Sequence, residues 1–269
     1  MRAREGHDVV EFVIVRHGQT TWNASGTIQG QADAPLDELG IAQARVTAAA
    51  LWGSGDGRWG RLERDAPIDS SDLKRAADTA SVIAAASSSS SAVRAHAALR
   101  ERHAGSLQGI RRADAPARDP KAWKALRGGD DATRVPGGGE SYDDVWDRVV
   151  PWFEDEARAR ARARAAAAGE GGGRGGGRGV VVTHGGVIHV LSDRCEADDE
   201  WFATSGRGRG RVVAKNCAVG VLRLHVPRED DAAGERRVRW RIGETWGDAS
   251  HLEEGGLRSS AWGGGAAGV

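Results

Sequence analysis

Two apolar runs in this chain end in the same way. Residues 9–15, "VVEFVIV", lead straight into Arg16-His17-Gly18, and residues 179–183, "GVVVT", lead straight into His184-Gly185-Gly186. A β-branched run with little apolar–polar alternation is the pattern of a strand buried on both faces, inside a sheet covered by helices on either side. Polar residues crowded where such strands stop lie at their C-terminal ends, where an open α/β sheet offers a crevice to a ligand.

The rest of the chain supplies the helices. "PLDELGIAQARVTAAAL" (35–51) has Pro and acids in its first turn and then Ile41, Ala44, Ala48 and Leu51 at helical spacing. "APIDSSDLKRAADTASVIAAA" (66–86) reads as a short strand, a cap near Ser71 and a helix to about Ala86. A third helix starts in "GGGESYDDVWDRVVPWFEDE" at a Ser141 cap, with Asp143 and Asp144 in its first turn. "NCAVGVLRLHV" and "RRVRWRIGETW" are late strands. The expectation is α/β: a three-layer α/β/α sandwich with a mostly parallel central sheet and helices on both faces. One domain spans 8–250, with 1–7 and 255–269 as flexible tails.

Composition narrows the function classes. Lys and Arg total 38, as do Asp and Glu, so the formal net charge is +0. No global field draws the chain to nucleic acid or an anionic membrane, and any cationic site must be local. The two cysteines, Cys195 and Cys217, fit neither a disulfide framework nor a zinc site. His7, His96, His225 and His251 lack companions at ligand spacing, so no metal is expected. The N-terminal segment lacks an apolar secretory core and no window reaches bilayer length, which gives the expectation of a cytoplasmic protein.

Two stretches read as additions to the fold. Residues 157–179 alternate arginine with alanine and then turn to glycine. A period of two scatters arginines around a helix and leaves no face to bury, so the stretch reads as a solvated helical extension and a linker. The alternative is an RGG-like RNA-binding segment; the glycine tract holds only Arg174 and Arg178 and no aromatic, so nucleic acid is not the expected partner. Ser87–Ser91 and the basic "GRGRGR" (206–211) read as loops.

Four blocks carry polar residues where apolar strands end: Arg16-His17-Gly18 with Asn23, "SDLKRAADTA" with Arg75, "LRERHAGSLQGI" with Glu101, and "THGG" with His184. Guanidinium forks at Arg16 and Arg75, with glycines that let backbone N–H groups approach, suit a tetrahedral dianion such as phosphate. An imidazole beside arginines is biased to its neutral form, which keeps a lone pair for attack on phosphorus. His17 and His184 both qualify on these grounds. Glu101 is the carboxyl placed to protonate a leaving alkoxide.

"VRHGQTTWN", "SDLKRAADTA", "LRERHAGSLQG", "GGGES" and "VVTHGGVI" followed by "NCAVGVL" occur in that order, and the chain resembles the histidine phosphatase superfamily, the phosphoglycerate mutase-like fold. The resemblance implies that His17 is the phosphorylated nucleophile, that Arg16, Arg75 and His184 complete the phosphate pocket, and that Glu101 is the proton donor. It further implies substrate contacts at Asn23, Gln29, Gly30, Gly185 and Arg112. The implied reaction uses no metal and no cofactor, and acts on a small phosphorylated metabolite.

Hydrolysis and phosphoryl transfer remain to be told apart. "ERHAGSLQG" is close to the "ERHYGALQG" of cofactor-dependent phosphoglycerate mutases, but Ala104 stands where those enzymes carry a substrate-touching tyrosine. Arg112 replaces their lysine, and "WKAL" (123–126) lacks their arginine pair. Each missing charge-assisted clamp is worth about 1.5–3 kcal/mol, so water is favoured over a retained bisphosphate. "DPKAWKALRGG" and "TWGDASHLEEGG" are similar to plant phosphoglycerate mutase-like proteins, a group associated with metal-independent phosphomonoester hydrolysis, including of phosphoserine. The expectation is a metal-independent phosphatase. The alternatives are a mutase, and a phosphate-binding pseudoenzyme or scaffold with an RNA-binding insertion.

Overall fold

The computed structural model describes residues 7–53, 58–60, 62–63, 65–87, 92–128, 130–169, 178–197, 214–228, 237–243 and 245–258. Of the segments singled out above, 1–6, 88–91, 170–177, 206–211 and 259–269 lie outside the described residues.

Strand β1 (His7–Arg16) is central. It pairs in parallel with β4 (Arg178–Thr183), which pairs in parallel with β2 (Ile68–Ser71), and that with the short β3 (Arg94–His96). On its other side β1 meets β6 (Val219–Pro227) antiparallel, followed by β7 (Arg239–Ile242) and the two-residue β5 (Glu196–Ala197). The order is β3-β2-β4-β1-β6-β7-β5, and β6 alone runs against the others. The sheet is mixed and mostly parallel.

Burial on both faces explains the unalternating run in β1. Val13 and Val15, with Val180 and Val182, pack against Ala48 and Leu51 of α2 (Glu38–Trp52) and Ala76, Ala80 and Ile83 of α3 (Lys74–Ala85). Phe12 and Ile14, with Val181, face the opposite layer: Val145, Val149 and Phe153 of α6 (Tyr142–Gly169) and Val187 and Leu191 of α7 (Gly185–Arg194). Phe12 meets Phe153 edge-on with ring centroids 5.1 Å apart. Each side chain of this size withdrawn from water stabilises the sandwich by roughly 1.5–3 kcal/mol. The three-layer expectation therefore holds.

The helix starts follow their caps. α2 opens after Asp37, whose Oδ1 accepts from Gly40 N at 2.7 Å; Pro35 stays outside because Leu36 bridges to Thr20. α3 opens at Lys74 without a side-chain cap, and Ser71 Oγ instead accepts from Leu73 N at 3.2 Å. The Ser141 cap is reciprocal: its Oγ accepts from Asp144 N at 3.1 Å, and Asp144 Oδ2 accepts from Ser141 N at 2.9 Å. The short α1 (Thr21–Ser25), α4 (Ala115–Arg118) and α5 (Pro120–Arg127) lie in the connections. Ala115, Ala122 and Ala125 join Leu107 and Val135 in a small third cluster, with Ile28 packed on it.

Three sequence expectations need correction. The Arg/Ala stretch does bury a face: α6 continues through it, and Ala157, Arg160 and Ala161 are buried. Alanines four residues apart fall on one side of a helix even when arginines are scattered around it. Arg160 lies over the Phe12 ring at 4.7 Å, and its Nη2 donates to the fully buried Asp69 at 2.7 Å. Asp69 also meets Arg94 Nη2 and His96 Nε2, each at 2.8 Å. Secondly, His7 is no tail residue; it is buried and pairs with Pro227 in the sheet. Thirdly, residues 255–258 continue to pack after α8 (Ser250–Glu254), where the Arg258 carbonyl accepts from Gln43 Nε2 at 2.8 Å. Among the described residues no helix is long and apolar enough to cross a membrane.

Candidate active site

Neighbouring strands bring the two histidines together. Arg16, the last residue of β1, pairs with Thr183, the last residue of β4, so His17 and His184 leave the sheet side by side. Their ring centroids are 5.1 Å apart. Arg75 enters from the first turn of α3, directly beyond β2 on the other flank of β4. Arg16, His17, Arg75 and His184 are all buried.

Hydrogen bonds orient each group. The His17 Nδ1–H donates to the Gly18 carbonyl at 2.7 Å, because a carbonyl can only accept; in the neutral ring the lone pair is therefore on Nε2. Gly18 N donates to Thr79 Oγ1 at 3.1 Å, fixing the turn. A side chain at Gly18 would put a Cβ 2.5 Å from the Gly40 carbonyl oxygen, so this close approach requires glycine. Arg75 Nη1 and Nη2 donate to the carbonyls of Ala32 (3.0 Å) and Gly30 (2.7 Å), and Arg16 Nη1 to that of Ala214 (2.6 Å).

The pocket is electropositive and buried. Desolvation holds His17 well below the ordinary imidazole value, and the nearby Arg75 and Arg16 add to it. His184 is lowered well below that value too, again by burial first, then by Arg75, His17 and Arg16. Both rings are neutral at pH 7. Burial lowers Arg75 to about 10 and Arg16 in the same direction, and both stay cationic. Two buried guanidiniums with one carboxylate, Glu101, close enough to act on both leave the site short of negative charge. Arg75 Nε and both ring nitrogens of His184 are buried without a hydrogen-bond partner among the described residues. Buried polar groups in that condition call for a ligand, here an anion.

Glu101 sits at the N-terminus of α7. Its Oε1 and Oε2 accept from Gly186 N at 2.9 and 3.2 Å, and Oε1 accepts from Arg102 N at 2.8 Å. A Cβ on Gly185 would stand 3.6 Å from Arg16 Nε and 3.8 Å from Glu101 Oε2, which places that residue between the two.

The expected substrate contacts fall into two groups. Asn23 is buried, and its Oδ1 accepts from Thr20 N at 3.1 Å. Gln29 Oε1 accepts from Thr20 Oγ1 at 3.0 Å, and Gly30 holds Arg75 through its carbonyl. Of these, Gly30 bears directly on Arg75, and Gly185 lies between Arg16 and Glu101. Arg112 lies instead with its guanidinium over the Trp123 ring at 5.4 Å, and Arg127 lies over the same ring at 5.4 Å. Burial, and then repulsion from Arg127, lowers Arg112 below the ordinary guanidinium value.

Asn216 escaped the sequence reading as a site residue. It is fully buried, and its Nδ2 donates to the His17 carbonyl at 3.1 Å and to Asn23 Oδ1 at 3.4 Å. The one available signal was a polar residue just ahead of an apolar strand, in "NCAVGVL". Cys217 beside it takes φ 54°, a left-handed conformation uncommon outside glycine.

Comparison with known proteins accords with this geometry. The model of the histidine phosphatase superfamily (branch 1) matches residues 12–224. A metal-independent phosphoserine phosphatase of Arabidopsis thaliana is 34% identical over 250 residues, covering 93% of this chain and 86% of that protein. Phosphoglycerate mutase-like protein 4 of the same plant is 37% identical over 262 residues, covering 97% and 94%. Among solved structures, a mycobacterial glucosyl-3-phosphoglycerate phosphatase superposes with a TM-score of 0.62 at 32% identity, over 90% of this chain and 100% of that one. The chain belongs to the histidine phosphatase superfamily, branch 1.

Proposed function

We propose that this chain is a metal-independent phosphatase that hydrolyses a small phosphomonoester, of which phosphoserine is the first to test, through a phosphohistidine on His17. One observation carries the reading: a neutral imidazole, with Nδ1 bonded to the Gly18 carbonyl and its lone pair on Nε2, stands beside the buried Arg16 and Arg75, and Arg75 Nε has no hydrogen-bond partner among the described residues. Similarity to a plant phosphoserine phosphatase and a mycobacterial glucosyl-3-phosphoglycerate phosphatase supports a phosphoric monoester hydrolase. We assign residues 8–250 to one catalytic domain acting on a small phosphorylated metabolite.

In the first half-reaction His17 Nε2 attacks phosphorus, the P–O ester bond breaks, and Glu101 gives its proton to the departing alkoxide. Arg16 and Arg75 hold the equatorial oxygens where charge develops, helped by His184, Asn23 and the N–H groups opening α7. In the second, Glu101 takes a proton from water as its oxygen attacks phosphorus, and the P–N bond breaks to release phosphate and restore neutral His17. The two arginines neutralise the dianion at each stage.

A mutase is the second reading, and Arg112 with Arg127 favours it: two guanidiniums against Trp123 make up in space for the pair that "WKAL" lacks in sequence. Such a pair can take a second anionic group. Purified protein incubated with phosphoserine and excess chelator should release phosphate and yield an acid-labile phosphoenzyme. Failure to release phosphate from any small phosphomonoester refutes the hydrolase; faster interconversion of 3- and 2-phosphoglycerate with 2,3-bisphosphoglycerate than hydrolysis makes it a mutase.

A further inference from the structure

The motif "GGGES" carries a glutamate that the proposed chemistry leaves unused, and α6 carries an arginine below it. Glu140 Oε1 accepts from Arg148 Nε at 2.9 Å and Oε2 from Arg148 Nη2 at 3.1 Å, a two-pronged ion pair. Both side chains are largely buried, at 20% and 21% exposure. Burial alone would raise the Glu140 carboxyl; the Arg148 guanidinium and the His103 N–H outweigh it and hold Glu140 below the ordinary carboxylate value.

The remaining bonds of this pair go to one stretch of backbone. Arg148 Nη1 donates to the Ala98 carbonyl at 2.6 Å and Nη2 to the Glu101 carbonyl at 3.1 Å. Glu140 Oε2 accepts from His103 N at 2.8 Å, and Glu140 N donates to the His103 carbonyl at 2.9 Å. Gln31 Nε2 also donates to the Glu101 carbonyl, at 3.1 Å, and to Glu140 Oε2, at 3.3 Å. Residues 100–104 have no helix or strand of their own. These bonds hold the Glu101 main chain directly, whereas Arg100 on Asp72 and Arg102 on the Leu126 carbonyl anchor its neighbours.

We infer that Arg148 and Glu140 are positioning residues for Glu101: they fix its main chain so that the carboxyl stands where a leaving oxygen needs a proton. The inference rests on the phosphatase reading. Gln31 extends the clamp to the loop whose Gly30 and Ala32 carbonyls hold Arg75, so proton donor and phosphate clamp share one frame. Neither positioning residue needs to touch substrate. General acid catalysis contributes roughly 10²–10⁴-fold, and a displacement near 1 Å can cost on the order of 10²-fold.

The loss should depend on the leaving group. An alkyl ester such as propyl phosphate needs protonation of its departing oxygen, whereas p-nitrophenyl phosphate expels a stabilised anion and needs little. In Arg148→Met, kcat/KM for propyl phosphate should fall about 10–100-fold, and for p-nitrophenyl phosphate less than about 3-fold. Arg148→Lys should recover part of the ratio, and the inhibition constant of inorganic phosphate should not move. Should Arg148→Met fail to fold, as judged by circular dichroism and gel filtration, Glu140→Gln keeps the shape of the site and should shift the ratio in the same direction. An equal fall for both esters, or no fall in either variant, overturns the positioning role while leaving the phosphatase reading standing. A wild-type protein that turns over neither of these esters, nor phosphoserine, nor any other small phosphomonoester overturns the phosphatase reading, and this inference with it.

Discussion

His251, which takes no part in the proposed chemistry, makes the fold sensitive to acid. The ring is buried on α8, edge-on to Trp59 with centroids 4.9 Å apart, and its Nε2 is 2.9 Å from Thr47 Oγ1. Burial pulls its pKa from 6.5 down to about 4; Asp248 and Glu254 oppose the change and Arg58 assists it. In the unfolded chain the imidazole takes up a proton below 6.5, while the folded one stays neutral until about 4. The unfolded state binds more protons throughout that window, so stability is full above the unfolded value and drops as pH falls. At about pH 5 the unfolded value lies roughly 1.5 units higher, and at 1.36 kcal/mol per unit His251 costs about 2 kcal/mol relative to pH 7.5. His17 and His184, also lowered, add losses of the same sign. His251→Gln keeps a donor near Thr47 and cannot titrate. Urea unfolding at both pH values should show the wild type losing about 2 kcal/mol more than the variant on acidification. Equal losses, within about 0.5 kcal/mol, would refute the claim that burial suppresses this proton.

Gly186→Ala would set a Cβ 2.1 Å from Glu101 Oε1. A carboxylate end can swing aside cheaply, so melting should barely change while alkyl-phosphate turnover falls at least about tenfold with loss of the placed acid. Arg75→Met removes a charge-assisted clamp worth about 1.5–3 kcal/mol, which should weaken inhibition by inorganic phosphate by about 10–150-fold; unchanged inhibition would remove Arg75 from the pocket. His17→Ala should abolish acid-labile phosphoenzyme, and full turnover in that variant would move the nucleophile elsewhere. Arg160→Met takes one cation from buried Asp69, with Arg94 and His96 left to compensate. A cost of about 3 kcal/mol and a melting point lower by about 6–12 °C are expected by calorimetry, and a change under about 2 °C would mean that the Arg/Ala stretch is not docked.

What could be read from sequence was what period and punctuation encode. Buried strands with no alternation, the Ser141 cap and the glycines after His17 and His184 each have a local cause, and the α/β/α layering follows from them. The site residues sat where strands end, so four separate blocks pointed to one crevice. Arg160 could not be read this way, because its partner Asp69 is 91 positions away and nothing local marks the alanine face it shares. Asn216 and Arg148 escaped for the same reason: each acts by bonding a distant backbone carbonyl, and a carbonyl carries no sequence signature. The Arg112–Trp123–Arg127 arrangement combines a loop and a helix end, so a search for adjacent arginines passes over it.

The pairing of Arg16 with Thr183 makes the sheet a gauge for the distance between two imidazoles. Slipping β1 by one residue against β4 would shift His17 by about 3.3 Å and turn its side chain to the other face. Turnover therefore reports on strand alignment: a preparation with correct helical content but a misaligned sheet would be silent, and specific activity per folded molecule would count only chains whose two central strands had locked in register.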